Sequence, residues 1–206
     1  MSEVRQPAGP IDFYFDFSSP YGYFAAEQID ALAARYGRSV LWHPFLLGVT
    51  FKVTGLAPLP SIPLKGAYSM HDIERSARYF GLPFRQPSAF PIPTQHAARA
   101  FLWINDRNPA RAREFGLAAY RAYFVDDVNI SDLGNVLRIA AGVGGDQDAL
   151  SAVLAGTEIK ARLAAEVELG MSRGVFGSPF LIVDGESFWG ADRLPQVERW
   201  LAEGGF

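Results

Sequence analysis

The stretch Ile11-Asp12-Phe13-Tyr14-Phe15-Asp16-Phe17-Ser18-Ser19-Pro20-Tyr21-Gly22 decides how this chain folds. Ile11, Phe13, Phe15 and Phe17 alternate with Asp12, Tyr14 and Asp16, the period of a strand with unlike faces. The strand then gives way to a helix. Pro20 suits a first turn, where its missing N–H costs nothing, and Ser19 suits the N-cap. Two roles are open to Ser19 on this reading: it only caps the helix, or it stands beside free backbone N–H groups that favour an anion.

Working outward, a helix is expected from Pro20 to about Tyr36, with Tyr21, Phe24, Ala25, Ile29 and Leu32 on one face and Gly37 just past its end. Ser39 to Phe45 reads as a second strand, parallel to the first. Leu46 to about Pro63 breaks into Gly, Thr, Pro and Lys and reads as a long loop, of a length that is often functional. Helix signals cover 65–80, 94–107, 110–124, 131–141, 146–155 and 157–173, with Thr94, Ser131 and Thr157 as N-caps. Phe84 to Pro93 is an extended connector. Asp184-Gly185 between two short apolar runs signals a hairpin. A last amphipathic helix carries Leu194, Val197, Trp200 and Leu201. The order is βαβ, a helical block, then ββα.

A 206-residue chain that is 49% hydrophobic can build one domain, or one domain with an insertion. A net charge of −3 with scattered Lys and Arg offers no nucleic-acid footprint. No apolar run is long enough to span a bilayer. The residues before Ile11 lack the apolar stretch of a secretory signal and read as a disordered lead-in, so the protein is expected to be soluble and cytoplasmic. The sequence contains no cysteine. That excludes a disulfide framework, a protein thiol nucleophile, a CxxC redox pair and a thiolate zinc site. His43, His71 and His96 show no paired ligand spacing, so no metal site is expected. Sulfur chemistry here would need a sulfur brought by a cofactor.

This order of elements resembles a thioredoxin-like domain with an inserted all-helical domain, the DsbA arrangement. More closely, the chain resembles the 2-hydroxychromene-2-carboxylate isomerases and their relatives, the kappa-class glutathione transferases, over nearly its whole length. Four segments carry the resemblance: Phe13 to Pro20; Pro44-Phe45-Leu46-Leu47-Gly48 with Phe51-Lys52; Pro63-Leu64-Lys65-Gly66-Ala67-Tyr68; and Gly174-Val175-Phe176-Gly177-Ser178-Pro179 with Phe188-Trp189-Gly190-Ala191-Asp192-Arg193-Leu194.

The resemblance implies an α/β fold with a glutathione-binding thioredoxin-like domain over 11–48 and 174–206 and an inserted helical domain over 49–173. It implies glutathione as cofactor and Ser19 as the catalytic residue, hydrogen-bonded to the glutathione sulfur. Pro179 would be a cis-proline facing the helix start, and the backbone of Ser178 would pair with the tripeptide like an added strand. Trp189, Gly190, Ala191 and Asp192 match the segment that holds the γ-glutamyl end. Lys65 matches a lysine that reaches glutathione, and Lys52 one placed near the acidic second substrate. Plainer roles stand beside these: a turn at Ser178-Pro179, helix-start charge for Asp192, core packing for Trp189, solvated charge for Lys52. Three positions depart from the family's pattern. Leu56 follows Gly55 where an Asn is common, Phe90 stands where isomerases can carry a tyrosine, and Ser178 replaces an aliphatic residue. They bear on recognition of the hydroxychromene acid more than on glutathione.

A thiol of pKa about 8.5 is only a few per cent ionised at neutral pH, and lowering it by about two units stabilises the anion by roughly 2.7 kcal/mol. In the isomerases, as the resemblance implies, the thiolate adds to a conjugated keto acid, turning a double bond into a rotatable single bond before the sulfur leaves. Lys52 and Arg85 could hold the substrate carboxylate. The expected partner is a small aromatic keto acid, and a homodimer is expected. A kappa-like transferase and a non-catalytic thioredoxin-like binding module are the alternatives.

Overall fold

The computed structural model describes residues 9–206, so most of the expected lead-in lies outside the described residues. Strands β1 (Ile11–Phe15) and β2 (Val40–Pro44) pair in parallel, with Ile11 opposite Val40. Strand β3 (Phe180–Val183) lies antiparallel on the other side of β1, and β4 (Glu186–Trp189) antiparallel to β3, giving the order β2-β1-β3-β4. Asp184 (φ 53°) and Gly185 (φ 90°) close the hairpin, the two positive φ values that a tight turn between twisted strands requires.

Helices α1 (Pro20–Ala26) and α2 (Ile29–Arg35) join β1 to β2. Between β2 and β3 lie α3 (Leu47–Thr54), α4 (Lys65–Phe80), α5 (Gln95–Asn105), α6 (Pro109–Phe124), α7 (Leu133–Gly142), α8 (Gln147–Ala155) and α9 (Thr157–Ser172). Helix α10 (Leu194–Glu203) follows the hairpin. This is a thioredoxin-like α/β fold with helices inserted between its second and third strands.

Several local expectations change. The first helix is two helices, because Gln28 takes the Phe24 carbonyl with its side-chain amide (2.7 Å) and its own N–H tightens onto Ala25. The expected loop after β2 contains α3, although β-branched residues and Gly48 disfavour helix there. Its opening N–H, from Leu47, donates to Asp16 Oδ2 (2.8 Å), a cap from 31 residues earlier. Ser131 does not cap α7; Asp132 does, accepting from the Asn135 N–H. Thr157 is the first residue of α9, with Gly156 at the N-cap. Thr94 holds the N-cap position of α5 but sends its hydroxyl to Asp16 instead.

Both faces of β1 are covered, so Tyr14 is as buried as Phe13 and Phe15. On one face Phe15 packs against Phe13, Phe17, Trp42, Phe101 and Tyr120 with ring centroids 5.1–6.0 Å apart, which ties β1 and β2 to α5 and α6. Each such buried aromatic contributes about 1.5–3 kcal/mol of transfer free energy. The other face is polar and lies under α9. His43 bridges Asp12 (2.9 Å) and Glu166 (2.7 Å), stacks on Tyr14, and Arg173 binds both Asp12 and Tyr14. A carboxylate on each ring nitrogen favours the imidazolium form of His43, which can donate from both. Burial opposes that charge, but the bonds to Asp12 and Glu166 outweigh it and raise the His43 pKa. Burial likewise pushes Asp12 up, and His43 and Arg173 overcome it to bring the carboxyl down to about 2.

Candidate active site

The site begins where β1 ends. Ser19 has extended backbone (φ −95°, ψ 113°) and caps α1, its Oγ accepting from the Gly22 N–H at 3.0 Å. The same hydroxyl donates to the Ser178 carbonyl at 2.8 Å, across 159 residues of sequence. Ser178-Pro179 is a cis peptide, and Ser178 meets the start of α1 through its carbonyl's bond to Ser19. Ser19 therefore serves as a cap and also as a contact to a second loop, both through one oxygen.

Beneath Ser19 sits Asp16, which the sequence reading passed over as a strand residue. It is 4% exposed and has no cationic partner among the described residues. Its carboxylate accepts from the Ser18 N–H (2.9 Å), the Leu47 N–H (2.8 Å) and the Thr94 hydroxyl (2.8 Å). Burial pushes its pKa up, and these three donors pull against that shift. One acid thus pins the turn at Ser18 and Ser19, the start of α3 and the start of α5. Its peptide groups are equally engaged: the Asp16 N–H donates to Ser178 Oγ (2.9 Å), and its carbonyl accepts from the Tyr120 hydroxyl (3.0 Å). The one sequence signal was an acid closing an apolar strand; nothing local pointed to Tyr120.

The segment after β4 comes to the same place. The Gly190 N–H donates to the Pro179 carbonyl (3.1 Å), Gly190 takes φ 112°, and the 3-10 turn Ala191–Arg193 packs on α1. Ala191 is buried there. The Asp192 carboxylate is exposed and pairs with Arg193 (3.1 Å). Trp189 is 56% exposed and rests on Phe176. The structure therefore gathers Ser19, Ser178, Pro179, Gly190 and Ala191 directly, with Trp189 and Asp192 at the margin.

Lys52, Lys65 and Phe90 are attached less directly. Lys52 lies in the last turn of α3, whose first turn is bound to Asp16. Lys65 opens α4, which is held to α1 by Tyr21 donating to Asp72 Oδ2 at 2.5 Å. Both lysines are exposed and make no ion pair among the described residues. Phe90 is half-buried against Phe124, in the connector whose Ile92 N–H donates to Ser18 Oγ (3.1 Å). Arg85 is largely exposed and pairs with Asp127 (3.4 Å). A separate recess of about 250 Å³ is lined by Glu186, Phe188, Trp189, Arg193 and Trp200, without Ser19 or Ser178.

No group of His, Asp or Glu among the described residues could hold a metal ion, and no helix is long and apolar enough to cross a membrane. The residues do fit a peptide-like thiol. The Ser178 N–H finds no acceptor among the described residues, on a backbone otherwise engaged. An extended ligand could therefore pair with it beside the Ser19 hydroxyl.

A sequence model of the DsbA-like thioredoxin domain matches residues 10–202. The chain belongs to that family, in the group of the 2-hydroxychromene-2-carboxylate isomerases and the related kappa glutathione transferases. It is 31% identical to a 2-hydroxychromene-2-carboxylate isomerase of Sphingobium xenophagum, over 94% of this chain and 98% of the relative. It is 30% identical to glutathione S-transferase kappa 2 of Caenorhabditis elegans, over 94% and 92%. Among solved structures, a 2-hydroxychromene-2-carboxylate isomerase superposes with a TM-score of 0.85 at 24% identity, covering 94% of both chains. The cytosolic disulfide reductase DsbM of Pseudomonas aeruginosa with GSH superposes at 0.67, with 18% identity over 94% and 96%. These last two speak for the fold alone.

Proposed function

We propose that this chain is a glutathione-dependent cis–trans isomerase acting on a small keto acid from aromatic breakdown. The observation that carries this reading is the single oxygen of Ser19, placed between the Gly22 N–H and the Ser178 carbonyl at the end of β1. Glutathione supplies the nucleophilic sulfur when bound. The chain's own part is to orient the tripeptide on the Ser178 backbone and to give the sulfur a hydroxyl donor at Ser19, whose one hydrogen turns from the Ser178 carbonyl to the sulfur and favours its anion. Gly190, Ala191 and Asp192, joined to Pro179 through the Gly190 N–H, would hold the γ-glutamyl end, with Trp189 alongside. Lys65 would reach the tripeptide, and Lys52 with Phe90 would meet the keto acid.

In this reading residues 11–48 and 174–206 form the glutathione-binding domain and 49–173 the inserted helical one. The exposed apolar residues Val49, Val53, Leu56, Leu64 and Tyr68, concentrated in one segment, support a homodimer formed through that surface. A kappa-like transferase would use the same thiolate but conjugate it irreversibly to an electrophile. Purified protein is titrated with glutathione by calorimetry, then incubated with glutathione and a conjugated aromatic keto acid while both thiol and geometric isomer are counted. The isomerase converts the acid with no net loss of thiol. Stoichiometric thiol loss would make it a transferase, and absence of a binding heat would make it neither.

A further inference from the structure

Gly22 stands three residues after Ser19, where a Cys-X-X-Cys redox pair carries its second thiol. Its surroundings are closed. A Cβ added there would lie 2.7 Å from the Tyr120 hydroxyl, 2.8 Å from Ser178 Oγ and 3.2 Å from Ser19 Cβ. Carbon atoms pack comfortably at about 3.5–4.0 Å, so even an alanine overlaps its neighbours. Neither polar neighbour can retreat without loss. Tyr120 is fully buried and donates to the Asp16 carbonyl, while Ser178 Oγ accepts from the Asp16 N–H. Turning either side chain away strips a buried peptide group of its partner.

We propose that Ser178 and Tyr120 are specificity-determining residues: together they fill the room a second thiol would need, and so commit this site to chemistry on one borrowed sulfur. The lack of cysteine shows only that no dithiol pair is present. The packing adds that changing residues 19 and 22 alone would not restore one. A sulfur ligand seated at Ser19 accordingly has no protein group at position 22 to displace it, in contrast to a Cys-X-X-Cys site. The Ser178 hydroxyl, which departs from the aliphatic residue expected there, is thus matched to the glycine at 22. This inference rests on packing and holds whichever thiol the site takes.

The test compares Ser19→Cys/Gly22→Cys with the fourfold variant that adds Tyr120→Phe and Ser178→Ala. Each is exposed to diamide. That azo oxidant accepts two electrons and two protons from a pair of thiols; two S–H bonds break, one S–S bond forms, and the oxidant leaves as a hydrazine. Free thiols are then titrated in denaturant, and the mass is checked for internal against intermolecular linkage. The double variant should keep both thiols titratable, while the fourfold variant should lose both to an internal disulfide. Ready closure of the double variant would overturn the proposal, and so would failure of the fourfold variant to close. Folding is covered by Gly22→Ala, whose thermal midpoint should fall by about 4 °C or more in the parent and by clearly less in a Tyr120→Phe/Ser178→Ala background, which has already lost both partners of the Asp16 peptide groups. A midpoint equal to the parent's would also sink it.

Discussion

Replacing Ser19 by Ala removes one hydroxyl and tests two of its roles at once. A hydrogen bond to a charged acceptor contributes about 1.5–3 kcal/mol, and each pKa unit corresponds to 1.36 kcal/mol, so losing the donor should raise the thiol pKa of bound glutathione by about 1–2 units. The structure argues for the lower end. In the variant the Gly22 N–H, now bonded to Ser19 Oγ at 3.0 Å, is released and can turn partly toward the sulfur. In the parent the Ser19 hydrogen must also leave the Ser178 carbonyl, 2.8 Å away, to reach the sulfur, which offsets part of its gain. The same substitution removes an N-cap, a loss of about 1 kcal/mol, which in a chain of this size lowers the melting midpoint by roughly 2–4 °C. The thiolate ultraviolet band is titrated in the protein–glutathione complex, with S-methylglutathione as the blank. The parent should titrate well below the free thiol and the variant about one unit higher, with a slightly lower midpoint. If the midpoint falls but the two thiols titrate alike, Ser19 is a cap only and the catalytic argument fails.

Two further outcomes follow from the same structure. His43 has a raised pKa, so its contribution is complete below its ordinary 6.5 and fades as pH climbs through the folded value. Asp12, held near 2, and Glu166, lowered by the His43 bond, contribute above 3.8 and 4.5 and fade on acidification. The clamp under α9 should therefore be strongest between these limits. Discounted for partial exposure, it is worth roughly 1 kcal/mol. His96, pushed down by burial, acts in the opposite sense, so the informative quantity is the parent minus His43→Gln difference in denaturant midpoint. That difference should shrink as pH rises above 6.5; a difference independent of pH would refute the clamp. At Leu64, φ 66° and ψ −52° form a γ-turn closed by Pro63 O and Lys65 N–H at 2.8 Å, with the side chain 93% exposed. Because strain of this kind costs about 1–3 kcal/mol, Leu64→Gly should stabilise the dilute chain by about 1 kcal/mol. Destabilisation in urea titrations at low concentration would contradict that account.

Much of the fold is legible because it rests on local rules. Alternation in 11–17, Pro20 behind a capping serine, Asp184-Gly185 in a hairpin and the periodic helices of the middle segment need only neighbours within a few residues. Where local rules failed, a distant group had intervened. Helix α3 begins on the carboxylate of Asp16, just past β1, α5 lends its capping hydroxyl to that same carboxylate, and Gln28 breaks a helix whose apolar spacing continued through it. The site divides in the same way. Ser19, Pro179 and the 189–192 segment stand out by motif, whereas Asp16 and Tyr120 do not.

By itself the sequence determined the order of elements, the absence of any protein thiol and the placing of a capping hydroxyl where a strand meets a helix. Only the tertiary structure decided what surrounds that hydroxyl. Pairing of β1 with β3 brings Ser178 to Ser19 and Asp16 from about 160 residues away, and α6 delivers Tyr120 to the same peptide. Hydrogen bonds and steric exclusion act within a few ångströms, whatever the distance along the chain. Which groups share those few ångströms here is set by sheet register and helix packing, not by sequence neighbours.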